Sequence, residues 1–211
     1  MTSTLGYDPR RDALFQRAVK KLESAGVVII NDIQLKEYDG FWDDNYNLLK
    51  YEFKRDLNAY FKGRANSTSE FTLASLIEFN QANAKDELKH FDQSIFEQSQ
   101  ALELSEGAYQ SIREKGHKAM REDGLDKVYA EHELDGIIGI TGGPAWKIDH
   151  INGDAFHGPA MSAYPAIGGY PHVTIAGGNI AGMPVGLSFI GKRYEDHVLA
   201  SIVYGFSQLS E

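Results

Sequence analysis

Several residues in this 211-residue chain are of types that catalyse reactions, and their spacing decides which of them could. Ser188, in "GLSFIG", is the obvious oxygen nucleophile. A nucleophile elbow needs G-x-S-x-G on a strand-to-helix turn, whereas here Ile190 holds the last glycine position and the serine lies inside a strand pattern. Seven histidines, His90, His117, His132, His150, His157, His172 and His197, are spread along the chain. None forms the H-E-x-x-H pair that a zinc site on one helix would use, and "HEL" at His132 has no second histidine four residues on. His150, Asp154 and His157 could meet in one loop, but solvated or core histidines are the simpler reading. Lys147 and Asp149 flank Ile148, and a lysine acts as a base only where burial lowers its pKa, so a surface ion pair is preferred. The bend "AGGNIAGMP" has neither of the phosphate-binding glycine spacings and precedes a strand, which makes it a hairpin turn. With no cysteine, thiolate chemistry and disulfides are excluded.

Apolar spacing predicts the elements that carry these residues. Leu14, Phe15, Ala18, Val19 and Leu22 form a helical stripe ending at Gly26, and "GVVII" after it reads as a buried strand. Tyr46, Leu49, Phe53, Leu57 and Tyr60 step by three or four and predict an amphipathic helix over 43–62. Ser67 and Glu70 have capping-box spacing ahead of "FTLASLIEF". Further helices are expected over about 86–102 and 106–123, the second ending at Gly124. "LDGIIGI" is apolar on both faces, as a central strand would be. From Thr141 to Met161 the composition turns to Gly, Pro, His and Asn, which predicts a long loop, and Trp146, Ile148, Phe156 and Met161 within it predict that it packs. Two strands then follow: Val173 and Ile175 alternate with His172 and Thr174, and Val185, Leu187 and Phe189 with Gly186 and Ser188. A helix over about 195–208 closes the chain.

The fold class is α/β, a mixed sheet flanked by helices in one partial domain over 1–211, with a helical region at about 43–133 and a strand, loop and hairpin region at about 134–191. A formal charge of -9 argues against a nucleic-acid partner, which would require clustered Lys and Arg. No apolar run approaches membrane-spanning length, and "MTSTLGYDPRRD" has no signal core, so a cytoplasmic location is the expectation.

"GGYPHVTIAGGNIAGMPVGLSFIG" resembles the C-terminal hallmark of the amidase signature family. Upstream, "DPRRDALFQRAVKKLESAGVVIIND", "TLASLIEFN", "FDQSIFEQS", "GAYQSIREK" and "LDGIIGITGGPAW" are similar to successive segments of that family in the same order. Ala176 stands where the family usually has proline, and Gly182-Met183-Pro184 replaces the commoner Gly-Leu-Pro. The resemblance implies the C-terminal portion of a hydrolase of carboxylic amide C–N bonds. It also implies that the family's serine nucleophile, bridging serine and lysine lie in an N-terminal half that this stretch does not match, so no catalytic role passes to Ser188 or Lys147. The loop would face a small-molecule amide, with Trp146, Asp149 and Asn152 as substrate contacts and packing as the competing role for Trp146. No cofactor or metal is implied. Three readings follow: an amidase fragment inactive alone, a non-catalytic binding or scaffold protein, or one subunit of a split amidase pairing with an N-terminal half or with itself.

Overall fold

The computed structural model describes residues 5–31, 33–64, 71–156, 158 and 160–209. The chain divides into two compact units, one formed by Met1–Glu37 with His117–Glu211 and the other by Tyr38–Gly116.

In the first unit, helix α1 spans Pro9–Ser24. It starts where the Asp8 carboxylate accepts the Arg10 amide and Pro9 pre-sets the first turn. The Arg10 guanidinium on that carboxylate holds its pKa down at about 2. Leu14, Phe15, Ala18, Val19 and Leu22 are all buried, as their spacing predicted. They pack on a three-stranded antiparallel sheet of order β1-β3-β2, with β1 at Ile137–Ile140, β2 at His172–Ile180 and β3 at Met183–Ile190. Val185, Leu187 and Phe189 of β3 and Ile140 of β1 point to the face that α1 covers, together with Leu199 of the last helix, Asp196–Gln208. The period of two seen in the sequence thus sorts each strand into an apolar face and a polar one. A helix at Ala163–Gly168, a turn of π-helix at Arg121–Leu125 and a short helix at Asp126–His132 complete the unit. The buried Tyr129 hydroxyl donates to the Ile190 carbonyl at 2.7 Å and ties the Asp126–His132 helix to the central strand.

The second unit is helical: α2 at Phe41–Lys62, α3 at Leu73–Ala82, α4 at Ala84–Glu87, α5 at Ser94–Ala101 and most of α6 at Glu106–Met120. Tyr51 stacks on Tyr109, with ring centroids 4.7 Å apart, and Tyr109 donates to Glu52 at 2.7 Å.

Several expectations are corrected. "GVVII" forms no strand and belongs to no sheet, and Val27, Val28 and Ile30 are exposed, Val28 at 83%. Among the described strands β1 lies at an edge and β3 is central, since β3 alone pairs on both sides. Ser67 and Glu70 lie outside the described residues; α3 is capped by Thr72, whose hydroxyl accepts the Ser75 amide while Ser75 accepts the Thr72 amide. The expected 86–102 helix is two short helices, with residues 88–93 between them. Gly124 marks a kink rather than an end, its backbone leaving helical geometry at φ -113 and ψ -108, and a Cβ there would lie 2.6 Å from the Ala119 carbonyl oxygen. Tyr46, Leu49 and Tyr60 of the α2 stripe stay exposed, while Phe53 and Leu57 are half-buried.

Candidate active site

The loop from Thr141 to Met161 is anchored at both ends. Its first residue donates its amide to the Gly186 carbonyl at 2.9 Å, and the Met161 amide returns to the Thr141 carbonyl at 3.1 Å. Met161 is fully buried, with its sulfur over Gly139; a Cβ on Gly139 would come within 2.8 Å of it. The loop therefore leaves from and returns to one point on the sheet, whatever its middle does.

The three residues implied as substrate contacts fall into two separate arrangements. Asp149 and Asn152 are brought together: one Asp149 oxygen accepts the Ile151 and Asn152 amides, each at 2.9 Å, and the other accepts the Asn152 side-chain nitrogen at 2.7 Å. These donors, the Asn152 side chain first, lower the Asp149 carboxyl pKa, so the residue is a charged acceptor inside a tight Asx-type turn. Trp146 lies apart from them. Its indole N–H donates to Asp154 at 3.0 Å and its ring meets Phe156 edge-on at 6.0 Å, leaving the side chain 39% exposed. Lys147 makes no ion pair with Asp149 among the described residues, so the two charges that flank Ile148 point their functions elsewhere. His157 lies outside the described residues, and among those described no three His, Cys, Asp or Glu side chains are grouped as metal ligands.

Sequence reasoning missed the most concentrated polar arrangement, which sits beside the loop's anchor on the sheet face opposite α1. The Ser188 hydroxyl lies 2.7 Å from His172 Nε2 and 2.8 Å from the Thr141 hydroxyl, with Thr174 at 3.5 Å. The three strands place them there: Gly139, Ser188 and Thr174 stand side by side in the register, and His172 is one position diagonal. Burial lowers the His172 pKa, so the ring is neutral at pH 7 and either tautomer can complete the cluster. A serine and an imidazole at this distance have the geometry of a nucleophile and base. Ser188, however, is 0% exposed and its oxygen is engaged from two sides, so a substrate carbonyl has no approach to it. The cluster is instead a clamp joining all three strands under the loop's base. The signal for it was present as the alternation of His172 and Thr174 on one strand and Ser188 on the next, but the pairing needed the register.

The amidase family model matches residues 2–200. A probable amidase of Arabidopsis thaliana is 28% identical over 214 residues, covering 97% of this chain and 37% of that protein. A glutamyl-tRNA(Gln) amidotransferase subunit of Pseudomonas entomophila is 25% identical, covering 98% of this chain and 43% of its own length. Among solved structures, the peptide amidase of Stenotrophomonas maltophilia superposes with a TM-score of 0.80 at 32% identity, over 93% of this chain and 39% of that one. The chain thus spans about two fifths of the length of these relatives, with their α/β architecture. The match extends over helices, hairpin and anchored loop alike, and the chain belongs to the amidase family.

Proposed function

We propose that this chain forms the C-terminal portion of a hydrolase of carboxylic amide C–N bonds and is inactive alone. In this reading a serine nucleophile, a bridging serine and a lysine come from a separate catalytic portion, as the family resemblance implies. The nucleophile's oxygen bonds to the amide carbon, the lysine takes its proton through the bridging serine, and the C–N bond breaks as the amine leaves protonated. Water then releases the carboxylate. The chain's own contribution is the sheet, the clamp at Thr141, His172 and Ser188, and the loop against which a small-molecule amide rests, with Trp146, Asp149 and Asn152 as contacts.

The observation that carries this reading is the run Val27–Ile30. Four consecutive β-branched apolar residues lie outside any helix or strand, three of them are exposed, and Val28 to Asn31 make no backbone–backbone hydrogen bonds among the described residues. An unpaired apolar run invites a partner strand. The chain's cover of about two fifths of its relatives' length supports a catalytic portion as that partner, and the amidotransferase relative, a subunit by its name, is compatible with one.

The test mixes the chain with recombinant N-terminal portions of peptide amidase and other relatives and measures hydrolysis of aryl, aliphatic and peptide amides. Activity only in a mixture is the expected result. Hydrolysis by the chain alone overturns the reading, and so does an inactive mixture in which size-exclusion chromatography detects no complex.

A further inference from the structure

A cleft of about 620 Å³, lined by none of the described loop residues, opens between α1, the glycine-rich part of β2 and the last helix. Its volume is that of a small-molecule site. Its floor is apolar, with Leu14 and Phe206 prominent, and its rim carries Arg17, Lys20 and Lys21. The spacing of these three cations puts them on one side of α1, where like charges repel. None has an ion-pair partner among the described residues, and no aspartate or glutamate lines the cleft. That is anomalous in a chain with 30 acidic and 21 basic residues.

The β2 backbone is irregular at the cleft. The register of β2 against β3 slips between Ala176 and Gly178, so Gly177 is the extra residue of a bulge. Such a bulge bends the strand locally, and Gly177 lines the cleft. Arg17 reaches this bulge: its Nη2 lies 3.5 Å from where a Cβ on Gly178 would stand. At the other end Lys21 Nζ sits 4.7 Å from the centre of the Phe206 ring. Cationic groups therefore border an apolar trough at one place.

We propose that this cleft binds a small amphipathic carboxylate, its head among Arg17, Lys20 and Lys21 and its tail along Leu14 and Phe206. This site is separate from the proposed amide-binding loop and does not depend on hydrolysis. It would take the same chemical class as the acid that amide hydrolysis releases.

The test titrates the chain with a dansyl-labelled medium-chain fatty acid and follows the emission as the probe enters an apolar site. Saturable binding is expected, displaced by decanoate, weakened by salt and unaffected by decyltrimethylammonium. A triple variant, Arg17→Gln with Lys20→Gln and Lys21→Gln, should bind about tenfold more weakly, the sum of three exposed charge pairs of modest strength each. These residues are on the helix surface, and unchanged circular dichroism checks that the variant is folded. Absence of saturable binding, equal displacement by the cationic amphiphile, or undiminished affinity in the folded triple variant would each overturn the proposal.

Discussion

Replacing Gly186 by alanine sets two effects of opposite sign against each other. Alanine restricts the unfolded chain and is better in a strand interior, which together stabilise by about 0.5–1 kcal/mol where the site has room. Gly186 has none. A Cβ there would lie 2.6 Å from the Thr141 hydroxyl oxygen, 2.7 Å from the Thr174 methyl and 2.9 Å from the Thr141 Cβ. Both neighbours are β-branched and stiff at χ1, and Thr141 is further held by Ser188 and by the hydrogen bond its own amide donates to the Gly186 carbonyl. Relief therefore requires backbone movement, and overpacking of this kind costs about 1–3 kcal/mol. The net expectation is a loss of about 1–2 kcal/mol, read from the midpoint of urea unfolding at unchanged m-value. Gly205, inside the last helix, is the internal control: a Cβ there meets nothing within 4 Å, so Gly205→Ala should stabilise by about 0.5–1 kcal/mol. If Gly186→Ala proves as stable as the parent chain, Thr141 does not clamp the loop's base in the way described.

Tyr129→Phe removes the donor to the Ile190 carbonyl in a buried place and should cost about 1–3 kcal/mol in the same unfolding assay. Because burial depresses the His172 pKa, the unfolded chain takes up a proton that the folded chain declines; stability is full above pH about 6.5 and falls as the pH drops from there toward the folded value. Unfolding between pH 7.5 and 5.5 should follow that decline by less than about 1.4 kcal/mol per pH unit, the half-exposed ring being partly screened, and His172→Gln should flatten it. Val28→Lys with Ile30→Lys should change stability by no more than about 0.5 kcal/mol, since both side chains are already exposed, yet abolish complementation by a catalytic portion in the hydrolysis assay.

Periodicity alone determined much of this protein. The stripe from Leu14 to Leu22 is a helix with those residues buried, and the alternation in residues 173–175 and 185–189 is a hairpin whose apolar face is the core. Both follow because burial of one face fixes a period of 3.6 or 2 wherever an element is half-covered. The family was legible for a related reason: glycines and apolar residues in a constant order across the chain record one way of packing.

Tertiary structure decided the rest. Ile180 pairs with Met183 and Gly178 with Val185, but past the bulge Ala176 pairs with Gly186 and Thr174 with Ser188. Counted on from Gly178 without that bulge, Thr174 would face Phe189, and the clamp of Thr141, His172 and Ser188 would not form. A one-residue slip moves every following side chain to the other face, and no local pattern announces it. Capping fell to Thr72 because a turn's hydrogen bonds depend on where the chain enters the helix, and "GVVII" reads as buried because its residue types suit a sheet. Whether such a run finds a partner strand is not a property of the run, and in this chain Val27–Ile30 forms no strand, with Ile29 packed against the core and Val27, Val28 and Ile30 exposed.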